Sequence, residues 1–268
     1  MFRKIIAFLK RDLFIHSSYR LSFLLEFLAI LASITTFFFI SKLFGKSSSI
    51  YLKEFGGDYF SFVLIGLAFS GYLSAGLNSF GQVISYEQSE GTLEILLLSP
   101  TGISTTLILG SLWNFLFVSL RVLIYLFLGW FIFGFSLNKI NLLSCLITLL
   151  LSIGAFANLG IISASFILVF KRADPINWLI EGVSKLLGGV YFPIKIMPPF
   201  LEKLSYLLPI TYGLSSLRKS ILLGTSLKEL IPELTMLFLF WVILLPISII
   251  SFRFALKKAK KNASLLYS

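Results

Sequence analysis

Four stretches of this chain, 59–86, 95–120, 140–170 and 234–252, contain no Asp, Glu, Lys or Arg. Each is longer than the roughly 18 apolar residues that carry a helix across the hydrocarbon core of a bilayer. Lipid offers no partner to a backbone N–H or C=O, so a segment that crosses it must satisfy its own hydrogen bonds, and an open chain does so as a helix. Composition agrees: 57% of the 268 residues are apolar and only 13% charged, about half the charge of a typical soluble domain. The predicted fold is an all-α polytopic membrane protein forming a single transmembrane domain over 1–268.

Six spans are predicted, at about 21–43, 58–84, 104–135, 142–170, 176–192 and 232–254. The fifth is the weakest, because it contains Glu181 and Lys185 and stops at Pro193. Ahead of the first span, Phe2, Ile5, Ile6, Leu9 and Leu13 fall on one helical face and Arg3, Lys4, Lys10 and Arg11 on the other. That amphipathic pattern predicts an interfacial helix over 1–19. Lys10, Arg11 and Asp12 interrupt any signal-like apolar run, so the segment is expected to be retained. Residues 193–231 are broken by Pro193, Pro198, Pro199, Pro209 and the Tyr212-Gly213 pair. Two short helices dipping back from the outer surface are expected there.

The formal charge of +11 flanks the spans instead of forming a patch on a polar domain, which argues for membrane topology and against nucleic acid. Basic residues before the first span and after the last place both termini in the cytoplasm, at an inner membrane, and two ends on one side require an even number of spans. One cysteine, Cys145, and one histidine, His16, leave no disulfide framework and no Cys/His metal cluster.

Catalytic candidates are few. Gly45-Lys46-Ser47 resembles the end of a phosphate-binding loop, but Ile40 stands where its first glycine belongs and no strand precedes it. Any ATPase is therefore expected on another subunit. Glu87, Glu90 and Glu94 lie close together on the loop after the second span with no histidine beside them, so they read as a solvated connector or a docking surface before they read as general acids.

The run from Glu87 through Glu90-Gly91-Thr92-Leu93-Glu94, Leu96-Leu97 and Ser99-Pro100 closely resembles the first cytoplasmic loop of the type 2 ABC exporter permeases. Gly189-Val190-Tyr191-Phe192-Pro193-Ile194, Pro198-Pro199, then Tyr206-Leu207-Leu208-Pro209-Ile210-Thr211-Tyr212-Gly213 and Arg218 are similar to that family's fifth span and external re-entrant helices. The resemblance covers essentially the whole chain. It implies a coupling loop over 85–100 seated on a separate ABC ATP-binding subunit through Glu87, Glu90, Gly91, Thr92 and Glu94, with Arg172 and Asp174 nearby. It also implies a second permease copy, identical or not, with ATP and Mg bound by the partner subunit and no cofactor in this chain.

Glu26, Arg121, Glu181 and Lys185 fall inside predicted spans. An unpaired charge at a helix centre costs roughly 2.5–3.5 kcal/mol, so pairing is expected: Glu181 with Lys185 at helical spacing, and Arg121 with Glu181 or Glu26. Structural ion pairs and a proton relay both fit this pattern. Phe69, Tyr72, Tyr191, Phe192, Tyr206 and Tyr212 are candidates for a translocation path or gate, as the family's aromatics are, while Gly66, Gly71, Gly76 and Ala75 offer close helix packing or a dimer contact. The expected function is an ATP-driven exporter of an amphipathic, lipid-linked or drug-like substrate. The alternative is a gradient-driven secondary transporter that uses the intramembrane charges.

Overall fold

The computed structural model describes residues 10, 13, 20–44, 51–92, 95, 103–137, 139–170 and 174–261. The expected interfacial helix lies outside them except at Lys10 and Leu13, and Gly45-Lys46-Ser47, Glu94 and Arg172 lie outside them altogether. Eight α-helices are described: α1 (Arg20–Phe44), α2 (Tyr59–Ser89), α3 (Ile103–Phe133), α4 (Leu142–Phe170), α5 (Asp174–Leu187), α6 (Pro199–Ser205), α7 (Pro209–Arg218) and α8 (Ile231–Lys261). Among the described residues there is no strand.

Helices α1, α2, α3, α4 and α8 are long and apolar enough to cross a bilayer. α5 differs from its expected span of 176–192: it has 14 residues, about 21 Å of rise against a core of roughly 30 Å. The shortening has a local cause, since Gly188 and Gly189 follow it and Gly189 adopts φ +80°, a conformation that stops a helix. α2 in turn runs past its expected end at 84, through the first residues of the acidic loop.

α2 is the central post. Its apolar stretch is 78% buried, against 11% for α1 and for α8. It begins where Gly56 and Gly57, both at positive φ, turn the chain and Asp58 caps the first turn by accepting from the Ser61 N–H at 2.9 Å, one of the donors a helix start leaves unsatisfied. α3 packs antiparallel to it, bringing Tyr72 to Ser119 and Phe60 to Phe133. α4 packs parallel, and there the backbones meet: a Cβ on Gly160 would strike the Gly76 carbonyl, and one on Gly76 would strike Phe156. Small residues permit this approach where lipid gives no hydrophobic drive to helix association.

Outside this trio, α1 lies along α2 and α3, and α8 along α4 and α7. α3 and α4 flank α2 without packing closely on each other. α8 holds Pro246 in its interior, where the ring denies one carbonyl its usual donor.

Residues 51–58, 134–137, 139–141 and 188–230 converge at one end of the bundle: Lys195 pairs with Glu54, and the Asn141 N–H donates to the Ser220 carbonyl at 3.0 Å. α5 rises toward that end, with Asn177 level with Asn78 and Val190 level with Gly66. α8 then runs back, so Arg20 and Lys261 face the opposite end.

Candidate functional site

The acidic elbow forms the end of α2. Glu87 and Ser89 are still helical, Glu90 is the C-cap, and Gly91 takes φ +67°. The Thr92 N–H donates to the Glu87 carbonyl at 3.0 Å and the Gly91 N–H to the Gln88 carbonyl at 3.2 Å, the bonding of a Schellman stop. Thr92 Oγ1 also donates to the Glu87 carboxylate. The segment expected to be a loop is therefore hydrogen-bonded to a 31-residue helix. Glu87 and Glu90 sit at the negative end of its dipole, where carboxylates are disfavoured, so this end of the bundle presents anions that a cation-bearing surface would relieve. Ile95 is helical, and Asp174 is the first residue of α5.

The intramembrane charges fall into two pairs. Arg121 on α3 pairs with Glu26 on α1. Lys185 reaches Glu181 at 2.5 Å within α5. Arg121 does not meet Glu181. Glu181 also accepts from Ser74 Oγ at 2.5 Å and from Asn78 Nδ2 at 3.4 Å. Asn177 donates to Asn78 Oδ1 at 3.0 Å and to the Leu77 carbonyl at 3.3 Å, and accepts from Ser163 Oγ at 2.6 Å. α5 is thus tied to α2 and α4 by a polar net around one carboxylate. Ser74 and Asn78, and Asn177 and Glu181, stand four residues apart on their helices, a spacing that marks a shared face and was the available signal for the net.

The six aromatic candidates separate. Phe69 and Tyr72 are buried between α2, α3 and α4, with ring centroids 6.0 Å apart and the Tyr72 hydroxyl donating to Ser119 at 2.8 Å. Tyr191 stacks on Phe37 of α1 at 5.9 Å. Tyr206 and Tyr212 lie 6.3 Å apart, and Tyr212 meets Phe240 of α8. Phe192 lines a small apolar recess with Leu187 and Leu201. They do not form one file.

Arg218, present in the sequence only as part of a motif, proves central. It is 2% exposed, and its guanidinium donates to three carbonyls: Phe62 from Nε at 3.0 Å, Gly189 from Nη1 at 2.8 Å and Val190 from Nη2 at 3.1 Å. It lies 3.3 Å from the Phe62 ring centroid. The fork welds α7 to α2 and to the chain leaving α5, and Gly66 leaves room for it, because a Cβ there would strike Val190 O and lie 2.7 Å from Arg218 Nη2. Nothing in the sequence distinguishes this arginine from a surface one, since its partners are backbone oxygens.

Two further pairs fasten the same end. Lys219 reaches Glu233 at 2.5 Å, and Lys195 donates to Glu54, whose hydrogen bond holds the Lys195 ammonium above its ordinary range. Glu54, Lys195 and Glu233, with Tyr206, Tyr212 and Arg218, border a cavity of about 280 Å³.

The family profile described as ABC-2 type transporter matches residues 3–222. Comparison with curated proteins gives no match. The matched region takes in the acidic elbow, the polar net and the arginine fork, so the chain belongs to the ABC-2 type transporter family, as one of its membrane permeases.

Proposed function

We propose that this permease exports an amphipathic, lipid-linked or hydrophobic substrate, driven by a separate ABC ATP-binding subunit that grips the acidic end of α2 in the cytoplasm. Family membership makes the chain a transporter permease, and the Schellman-stopped elbow carries the rest of the reading. Force applied to Glu87, Glu90 and Thr92 enters α2 without passing through a slack loop, because Thr92 is bonded to Glu87 through both backbone and side chain. α2 is the helix on which α1, α3, α4 and α5 all pack, so its displacement reaches the bundle as a whole. Nucleotide-driven closure would then act by shifting the population of bundle conformations.

In this reading both termini and residues 85–100 are cytoplasmic, and 193–231 face outward. α5 with the turn and bend residues 188–193 makes the fifth of six crossings. A second permease copy, identical or homologous, completes the path. Few charges lie inside the bundle, and Glu26, Arg121, Glu181 and Lys185 among them are paired, which suits a cargo that is itself largely apolar.

Copurification of the full complex tests the proposal. Glu90→Lys and Gly91→Pro should each release the ATP-binding subunit or abolish ATP-dependent export. If both variants keep the subunit bound and export intact, the elbow is not the coupling element.

A further inference from the structure

The gap between α3 and α4 forms a groove of about 570 Å³, floored by Phe69 and Tyr72 of α2 and walled by Val122, Phe127 and Trp130 on one side and Leu146 on the other. Its lining is apolar apart from the bonded Tyr72 and Ser119 hydroxyls. Phe127, Trp130 and Leu146 are exposed along it, so it opens sideways into the bilayer. It is distinct from the polar net and from the cavity beside Arg218.

Its length matches one occupant. Along α3 the lining extends from Ser119 to Trp130, about 16 Å at 1.5 Å per residue, close to half of a hydrocarbon core roughly 30 Å thick. A single acyl chain from one leaflet has that length and the apolar surface to fill the slot.

Its connector end has a charged neighbour. Leu137 and Ile140 line the groove, and between them stands exposed Lys139, the one charged residue of the 134–141 connector. The connector is held in place: the Asn141 N–H donates to Ser220 O at 3.0 Å, Ser144 Oγ donates to Thr225 O at 3.1 Å, and a Cβ on Gly224 would meet the Lys139 carbonyl at 2.5 Å. Lys139 thus puts an exposed cation close in sequence to two residues that line an apolar slot, a pairing that suits a phosphate on an acyl chain.

We infer that this groove is a binding site for an anionic phospholipid of the leaflet at the connector end, with one acyl chain against α2 and its phosphate at Lys139. The site depends on no part of the transport reading, and its lipid stays in place while other lipids around the bundle exchange.

The full chain keeping Trp130 as its only tryptophan, with Trp113, Trp178 and Trp241 replaced by Phe, is reconstituted in vesicles containing phosphatidylglycerol or phosphatidylcholine brominated along the acyl chain. Trp130 fluorescence should be half-quenched at about a tenfold lower mole fraction of the brominated phosphatidylglycerol. Lys139→Gln, which leaves the core untouched, should erase the difference, and so should Val122→Phe/Leu146→Phe, which fills the slot. Equal quenching by the two lipids in the parent, or a difference that survives either variant, overturns the site.

Discussion

Thr92 is bonded to Glu87 through both its N–H and its hydroxyl, across the turn that ends α2. This double tie is the local reason the acidic elbow behaves as part of a long helix. Gly91, at φ +67° with open space around a Cβ, is strained by any L side chain on conformational grounds alone. Gly91→Ala should cost about 1 kcal/mol at the elbow and weaken docking of the ATP-binding subunit. Thr92→Val, which removes the hydroxyl tie, should act in the same direction. Affinity of the reconstituted complex in a pull-down titration measures both.

Arg218 gives the sharpest stability prediction. A lysine carries one ammonium and cannot serve three carbonyls in the fixed fork of a guanidinium, so Arg218→Lys should lower stability by about 3 kcal/mol. Gly66→Ala, which pushes a Cβ against Val190 O and the guanidinium, should loosen the same junction. Thermal unfolding in detergent, together with protease access to 188–208, reads out both variants. An unchanged melting temperature in both would dismiss the fork as a fastener.

Placement of the two ends is tested with one background. Cys145 is the only cysteine, so Cys145→Ser yields a chain without thiols. Cysteine introduced at Glu90 should react with an impermeant maleimide only after the membrane is breached, and cysteine at Lys203 should react in intact cells. The reverse pattern would put the elbow beyond the reach of any cytoplasmic ATPase.

Glu181 separates the two energy sources. Its carboxylate is engaged by Lys185, Ser74 and Asn78. Glu181→Gln should leave Lys185 unpaired and destabilise the α2–α5 contact by about 1–3 kcal/mol. Export by the unmodified protein should survive collapse of the proton gradient and stop when ATP is depleted. The opposite pattern would favour a gradient-driven carrier.

The Lys195–Glu54 pair sets a pH window at the end of the bundle opposite the acidic elbow. The native fold holds the Lys195 ammonium above the ordinary lysine value of 10.5, so it binds this proton more tightly than the unfolded chain does. The contribution is complete below pH 10.5 and fades as pH climbs through the higher native value. The melting-temperature difference between the parent and Lys195→Met should therefore stay constant from about pH 7 to about 9.5 and shrink above pH 10.5.

The five long helices were legible because long stretches of their sequences carry little or no charge, and a lone segment that crosses lipid satisfies its own backbone as a helix. α5 was misjudged in length because Glu181 and Lys185 blur its apolar signal, and because the Gly188-Gly189 stop lies inside what reads as one span. The polar net was half visible: Glu181 stood out as a charge, while Ser74, Asn78 and Asn177 passed as neutral residues in apolar surroundings. The Arg218 fork was invisible, since hydrogen bonds to main-chain oxygens leave no complementary residue in the sequence to find.

At Gly76 and Gly160, α2 and α4 touch main chain to main chain. The Gly76 carbonyl is packed directly on Gly160, so these two helices can pivot about that point but have little freedom to slide past each other. α5 is attached differently, by hydroxyl and amide bonds that water can replace one at a time. A stroke delivered to α2 would accordingly carry α4 along as ballast and spend its travel at the α5 seam, making that seam the place where the bundle parts.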